Sequence, residues 1–234
     1  MLGTWRKPLE LAFFNHRLIS EVNRFNKVNW LIIDLGIKHV TAEHINEVLD
    51  SMLVGFNRLF KYKKVKQANL GYFRMLDIII EEERFNPVIH VLLPTIKSYF
   101  QGRYYIKLSE WSTLWHKALD MRPEYDLSVE VNTLNSKSDQ LSIIDSMEQG
   151  LILLHNVPER PQTKSNDTIS SRRLIGYSRL LKDHVDRIHP KIEYNLHHYD
   201  INDPFANSAF NFMRHWHSGI RSQKELDLKQ SFVL

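Results

Sequence analysis

The feature that most constrains the fold is a pair of apolar runs joined by a short acidic link. Leu70 to Ile80 and Pro87 to Leu93 each read as a strand, and Glu81-Glu-Glu-Arg-Phe-Asn86 between them fits a hairpin turn. Two strands joined in this way are expected to pair antiparallel at the centre of a sheet.

Other segments fall around that hairpin. Pro8 to Asn26 predicts a helix, because Leu11, Phe14, Leu18, Val22 and Phe25 recur at spacings of three and four. Asn29 to Ile37 reads as a buried strand. Thr41 is placed to cap a helix carrying Ile45, Val48, Met52, Phe56, Leu59 and Phe60 on one stripe. That helix runs into Lys61-Tyr-Lys-Lys-Val-Lys66. Ser109 to Leu119 predicts a helix capped by Ser109, with Trp111, Leu114, Trp115 and Ala118 inward. Leu127, Val129 and Val131 alternate as in a strand, and Ser138 to Leu154 reads as helical. Pro158 to Thr168 has loop composition. Ser171 to Ile188 predicts a basic helix, Pro190 to Asn207 an irregular stretch and Phe210 to Trp216 a last strand. Helices and strands are interspersed without an internal repeat. The expected class is α+β, a central antiparallel sheet with flanking helices.

Composition narrows the function. The chain of 234 residues is 43% apolar and 25% charged, an ordinary globular balance. No run approaches the roughly 18 apolar residues of a membrane span. The start, Met1-Leu-Gly-Thr-Trp-Arg-Lys-Pro8, lacks the apolar core of a signal peptide, so a cytoplasmic protein is expected. The absence of cysteine excludes disulfides and thiolate zinc sites. A net charge of +4 permits a polyanionic partner.

Several motifs in order carry a family resemblance. Trp5-Arg-Lys-Pro-Leu-Glu-Leu-Ala-Phe13, Trp30-Leu-Ile-Ile-Asp-Leu-Gly-Ile-Lys38 and Gly71-Tyr-Phe-Arg-Met-Leu-Asp-Ile78 lead to Asn86-Pro-Val-Ile-His-Val-Leu-Leu-Pro-Thr-Ile-Lys-Ser-Tyr-Phe100. Tyr105-Ile-Lys-Leu-Ser-Glu-Trp-Ser-Thr-Leu-Trp115 and Arg173-Leu-Ile-Gly-Tyr-Ser-Arg-Leu-Leu-Lys182 follow. This series resembles the rolling-circle plasmid replication initiators of the Gram-positive type, from Trp5 to about Ile220. The resemblance implies an HUH endonuclease-like fold, with residues 1–157 as the origin-binding domain. A loop at 158–168 and an extension of the same unit at 169–234 would follow.

In such initiators a divalent metal, Mg²⁺ or Mn²⁺, polarises a phosphate of the plasmid's double-strand origin and a tyrosine attacks it. Both are needed, because phosphate esters are poor electrophiles and a phenol is a weak nucleophile near neutral pH. A host helicase and polymerase would be recruited, and a homodimer is conceivable. By resemblance, Asp77 and His90 occupy metal-ligand positions, with Asp77 in place of a usual Glu. The first histidine of the metal pair is replaced by Val88. Asp34 and Gly36 replace two threonines of the first motif. Gly150 falls at the nucleophile, and no tyrosine lies between Tyr125 and Tyr177. Nicking is therefore expected to be weak or lost. A non-catalytic binding derivative, a decayed gene product and an enzyme with relocated chemistry, using Tyr177 or Tyr125 and a rebuilt metal site of Asp34, Asp77 and His90, are the alternatives.

The residues taken by themselves leave plainer readings beside these. Asp77 and His90 can equally form a buried pair across the hairpin, and this is the favoured reading. Asp34 is expected to face solvent or a helix end. His197-His198 and His215-Trp-His217 are poor candidates for chelation, because adjacent strand residues point apart and Trp216-His217 matches the family's ending. Lys61, Lys63, Lys64 and Lys66 on one segment, and Arg172, Arg173, Arg179 and Lys182 on another, are candidates for contact with DNA phosphates.

Overall fold

A computed structural model describes residues 6–81, 83–120, 125–134, 140–156, 174–188, 195–216 and 219–222. In chain order, Arg6–Phe25 forms helix α1, Val28–Lys38 strand β1, Ile45–Leu59 α2, Lys63–Ala68 α3, Gly71–Glu81 β2 and Arg84–Ile96 β3. Leu108–Leu119 forms α4, Asp126–Thr133 β4, Gln140–Asn156 α5, Ile175–Ser178 β5, Arg179–Val185 α6, Pro204–Met213 α7 and Gly219–Ser222 β6. The predicted loop at 158–168 lies outside the described residues.

The expected hairpin is the centre of the sheet, but its turn is tighter than the acidic link suggested. Glu81 pairs with Arg84, so only two residues separate the strands, and Glu83 has φ of 65°. The hydrogen-bonded order is β4-β1-β3-β2-β5, every neighbouring pair antiparallel. β6 lies parallel to β2, beyond β5 along the same edge.

Strand alternation divides the core in two. Leu31, Ile33, Leu35 and Ile37 of β1 pack with Val48, Met52 and Phe56 of α2 and with Trp111 and Trp115 of α4. Trp30 and Ile32 face the other way, toward Phe13 and Leu18 of α1, Met147 of α5, Leu181 of α6 and Phe210 of α7. Each such fully buried side chain contributes about 1.5–3 kcal/mol. The sheet is therefore sandwiched between two helical layers, and any polar residue facing inward must find its partners there.

Several predicted elements need correction. Phe210 to Trp216 is not a strand. Asp203 caps α7 by accepting from the Phe205 and Ala206 amides at 2.9 and 3.0 Å, and Pro204 stands in the first turn. Ala206, Ala209, Phe210 and Met213 then recur at helical spacing and are buried. Ser171 to Ile188 is not one helix. Residues 175–178 are drawn into pairing with β2, and the chain turns at Arg179, φ 46°, the first residue of α6. Lys107, not Ser109, is the cap of α4, with the Glu110 carboxylate accepting from the Lys107 amide at 2.9 Å. Thr41 lies a turn ahead of α2, its hydroxyl 2.8 Å from His44 Nδ1. The lysine-rich segment is not a continuation of α2, which ends at Leu59; a separate short helix begins at Lys63.

Candidate functional site

The sheet brings three polar side chains together on the face covered by α1 and α7. Asp34 of β1 pairs in register with His90 of β3, and Asp77 of β2 pairs with Val88, one alternation step from His90. All three therefore point to the same side. His90 Nδ1 lies 2.8 Å from Asp34 Oδ1, and His90 Nε2 lies 3.5 Å from Asp77 Oδ2. The first contact is a short hydrogen bond. The second is long for one and is better described as an ion pair. Asp77 and His90 are both buried, while Asp34 is half-buried.

This arrangement fixes the protonation of His90. Burial pulls its pKa down, but the hydrogen bond to Asp34 and the proximity of Asp77 outweigh burial and push it up to about 9. The charged form of His90, set between two carboxylates, is thereby favoured at neutral pH. Trp216, which follows α7, stacks flat on its ring, with centroids 4.7 Å apart and planes 10° from parallel. An indole face attracts a cation, so the stack favours the same charge state.

The donor set does not fit a divalent metal as it stands. A metal needs an unprotonated imidazole nitrogen and about three converging ligands. Here Nδ1 is bonded to Asp34, so only Nε2 and the Asp77 carboxylate converge, and Val88 offers no third donor. Among the described residues no group of three or more His, Asp or Glu side chains is arranged to hold an ion. The favoured Asp77–His90 pair is present, and Asp34 joins it rather than facing solvent or a helix end. Trp216 was the residue missed; Asp34 beside Asp77 and His90 was the alternative to the expected solvent-facing placement. The available signal for Asp34 was that it and His90 each interrupt a buried apolar run, so that adjacent strands can match them.

The candidate nucleophiles lie elsewhere. The Tyr177 ring packs against Phe73 and Phe14, with centroids 4.9 and 6.0 Å away. Its hydroxyl accepts a hydrogen bond from Asn15 Nδ2 at 3.2 Å. Burial pushes this phenol well above the ordinary tyrosine range, and the Asn15 contact offsets only part of that. Gly150 is buried against α1. A Cβ there would stand 3.1 and 3.2 Å from Phe13 ring atoms and 3.3 Å from Leu9. Tyr125 lines a cavity of about 570 Å³ with His39, His44 and Asp126. It packs with the α2–α4 core, on the opposite side of the sheet from His90.

Of the predicted DNA contacts, Lys61, Lys63 and Lys66 are exposed, while Lys64 is paired with Glu110. Arg179 donates to the carbonyl of Asn69, at the end of α3, at 3.1 Å. The two basic segments therefore meet through Arg179. Lys182 is exposed on α6. Arg172 and Arg173 lie outside the described residues, as does His217. His197 and His198 are exposed in a short 3₁₀ turn.

Comparison with known proteins agrees with the motifs. A family model described as replication protein matches residues 2–222. The chain is 34% identical to Protein rep of Bacillus amyloliquefaciens, over 93% of this chain and 72% of that one. It is 33% identical to a Protein rep from a Bacillus species, over 76% and 66% respectively. A Staphylococcus aureus Replication protein is 28% identical over 86% of this chain and 93% of its own length. No solved structure matches the chain. With its antiparallel α+β sheet, the chain falls in the class of plasmid replication proteins. It belongs to the replication-protein family, that of the rolling-circle plasmid initiators its motifs resemble. No described helix is long and apolar enough to cross a membrane.

Proposed function

We propose that this chain binds its plasmid's double-strand origin and that metal-dependent nicking by a tyrosine is weak or lost in it. The observation carrying this reading is the position of His90, closed in by Asp34, Asp77 and Trp216, with Val88 where the other histidine of the pair would stand. With Val88 offering no donor, His90 and Asp77 alone would have to hold the metal that polarises the phosphate, fewer than the roughly three protein ligands such an ion needs. The placement of Tyr177 supports the same reading. Its phenol points among Phe14, Phe73 and Asn15, where a phosphodiester has no room and where the reactive phenolate is disfavoured. Gly150, tight against Phe13 and Leu9, could carry a side chain at the position the resemblance assigns to the nucleophile only if those neighbours gave way.

Binding without cutting is then the remaining competence of the fold. The exposed cations on α3 and α6 would supply the phosphate contacts, giving an affinity that falls steeply with salt. The test incubates purified protein with supercoiled plasmid from its own host, in Mn²⁺, Mg²⁺ or EDTA. A denaturing gel scores relaxed circles and protein-linked DNA, and a native gel scores shifts of an origin fragment. The expected result is an origin shift that survives EDTA, without a covalent adduct. Metal-dependent nicking with a tyrosyl-linked product would overturn the proposal. Neither a shift nor cutting would indicate a decayed product.

A further inference from the structure

A second surface lies at the end of β3. Val65 and Ala68 of α3 are buried in the same cluster as Tyr99 and Ile106, which anchor the turn between β3 and α4. The exposed residues beside these anchors consequently share one corner of the molecule, where α3 packs against residues 102–104. Phe100 and Tyr105 project from it, 44% and 42% exposed, unusual for rings of this size. Their centroids are 6.1 Å apart, and each leans on buried Tyr99, at 5.0 and 5.7 Å. Tyr99 fixes both rings from below while their outer faces remain open.

The charge around these rings has one sign. From Arg58 to Leu76 the sequence has no acidic residue, and from Lys97 to Ser109 it has none either. Lys61, Lys63, Lys66, Lys97, Arg103 and Lys107 are exposed across the two segments. The nearest acid, Glu110, is engaged by Lys64 and by the Lys107 amide. The Arg103 guanidinium sits 4.9 Å over the Tyr104 ring, extending the aromatic surface with a cation.

We propose that this corner is a stacking site for single-stranded nucleic acid, with bases on Phe100 and Tyr105 and the backbone along the α3 and Arg103 cations. Open aromatic faces within a field of cations suit unpaired bases, which have free π-faces where a duplex has none. A protein partner fits less well, because lysine is depleted from protein–protein interfaces. The inference deepens the reading of the chain as a DNA-binding protein and rests on it. It supplies what origin melting requires, a place for a displaced strand, on the side of the sheet away from His90.

The test measures fluorescence anisotropy of a labelled oligothymidylate of about 20 nucleotides in EDTA, titrated with full-length protein at two salt concentrations. Phe100→Ala and Tyr105→Ala are each expected to weaken binding by roughly tenfold, and the double variant by more. Phe25→Ala removes an exposed ring on α1, in the other layer, and is expected to bind as wild type does. Thermal melts establish that every variant is folded. The proposal fails if the Phe100 and Tyr105 variants bind as tightly as wild type, or if Phe25→Ala loses as much. It fails also if wild type does not bind the oligonucleotide. In that last case, a retained origin-duplex shift would leave the DNA-binding reading standing, whereas loss of both would remove it as well.

Discussion

The imidazole of His90 lies parallel to the indole of Trp216, with ring centroids 4.7 Å apart. Trp216 continues across the sheet face to Phe73, 6.4 Å away and also near parallel. The residue that closes the polar site is thus held by the end of α7, more than 120 positions from the strand it covers. Trp216→Ala is expected to destabilise the protein by about 3 kcal/mol, the usual cost of deleting a buried aromatic. Trp216→Phe keeps a ring over His90 and should lose markedly less. Urea denaturation at neutral pH reads both, and equal losses would mean the stack contributes nothing beyond volume.

Proton linkage gives the second expectation. His90 titrates near 6.5 when unfolded and at about 9 in the fold. The folded state holds the proton more tightly, so its stabilisation is complete below about pH 6.5 and is lost as pH rises through 9. The stabilisation lost over that window is roughly 3 kcal/mol. His16 acts in the opposite sense. Burial lowers its pKa, only partly opposed by the Asn207 hydrogen bond and by Asp203 and Asp200, so stability falls as pH drops below the unfolded value. Stability measured against pH should therefore decline on both sides of a maximum near 6.5. Asp34→Asn should flatten the alkaline limb and leave the acid limb in place.

Much of this architecture was legible before the structure. Strand and helix periods located α1, α2, β1, β2, β3 and β4, because buried apolar stripes leave an unmistakable spacing. The C-terminal third was harder. Residues 175–178, Ile-Gly-Tyr-Ser, lie between Arg173 and Arg179 in an otherwise helix-like basic stretch, and only the open edge of β2 turns them into a strand. Phe210 to Trp216 looked like a strand because the capping signal, Asp203-Pro204, lies outside that window. At the site, the Asp77–His90 pair followed from the hairpin. Asp34 was legible only as an alternative, since its contact depends on the β1–β3 register, which no local pattern specifies.

Gly150 offers a prediction about restoring what the chain lacks. The α5 backbone runs so close to α1 that even a methyl group would press on Phe13 and Leu9. Gly150→Tyr is expected to cost on the order of 3 kcal/mol through overpacking and to produce no covalent DNA adduct, even combined with Val88→His. A folded double variant that nicks supercoiled plasmid in Mn²⁺ would contradict both the packing argument and the reading of His90 as engaged by Asp34, Asp77 and Trp216.

Tyr177 separates a structural role from a relocated chemical one. Its hydroxyl takes a hydrogen bond from Asn15 Nδ2, the same amide group that donates to the Leu11 carbonyl at 2.8 Å within α1. Tyr177→Phe keeps the ring against Phe14 and Phe73 and removes only that contact, so it should cost about 1 kcal/mol, the net worth of one hydrogen bond. Origin binding should be unchanged, because the phenol does not reach the surface cations. Two measurements decide the matter: the denaturation midpoint of Tyr177→Phe, and the yield of protein-linked DNA from wild type and variant. A modest stability loss with no adduct from either protein fits a tyrosine that joins β5 to α1. An adduct formed by wild type and absent from the variant would require α1 to open and would make Tyr177 the nucleophile after all.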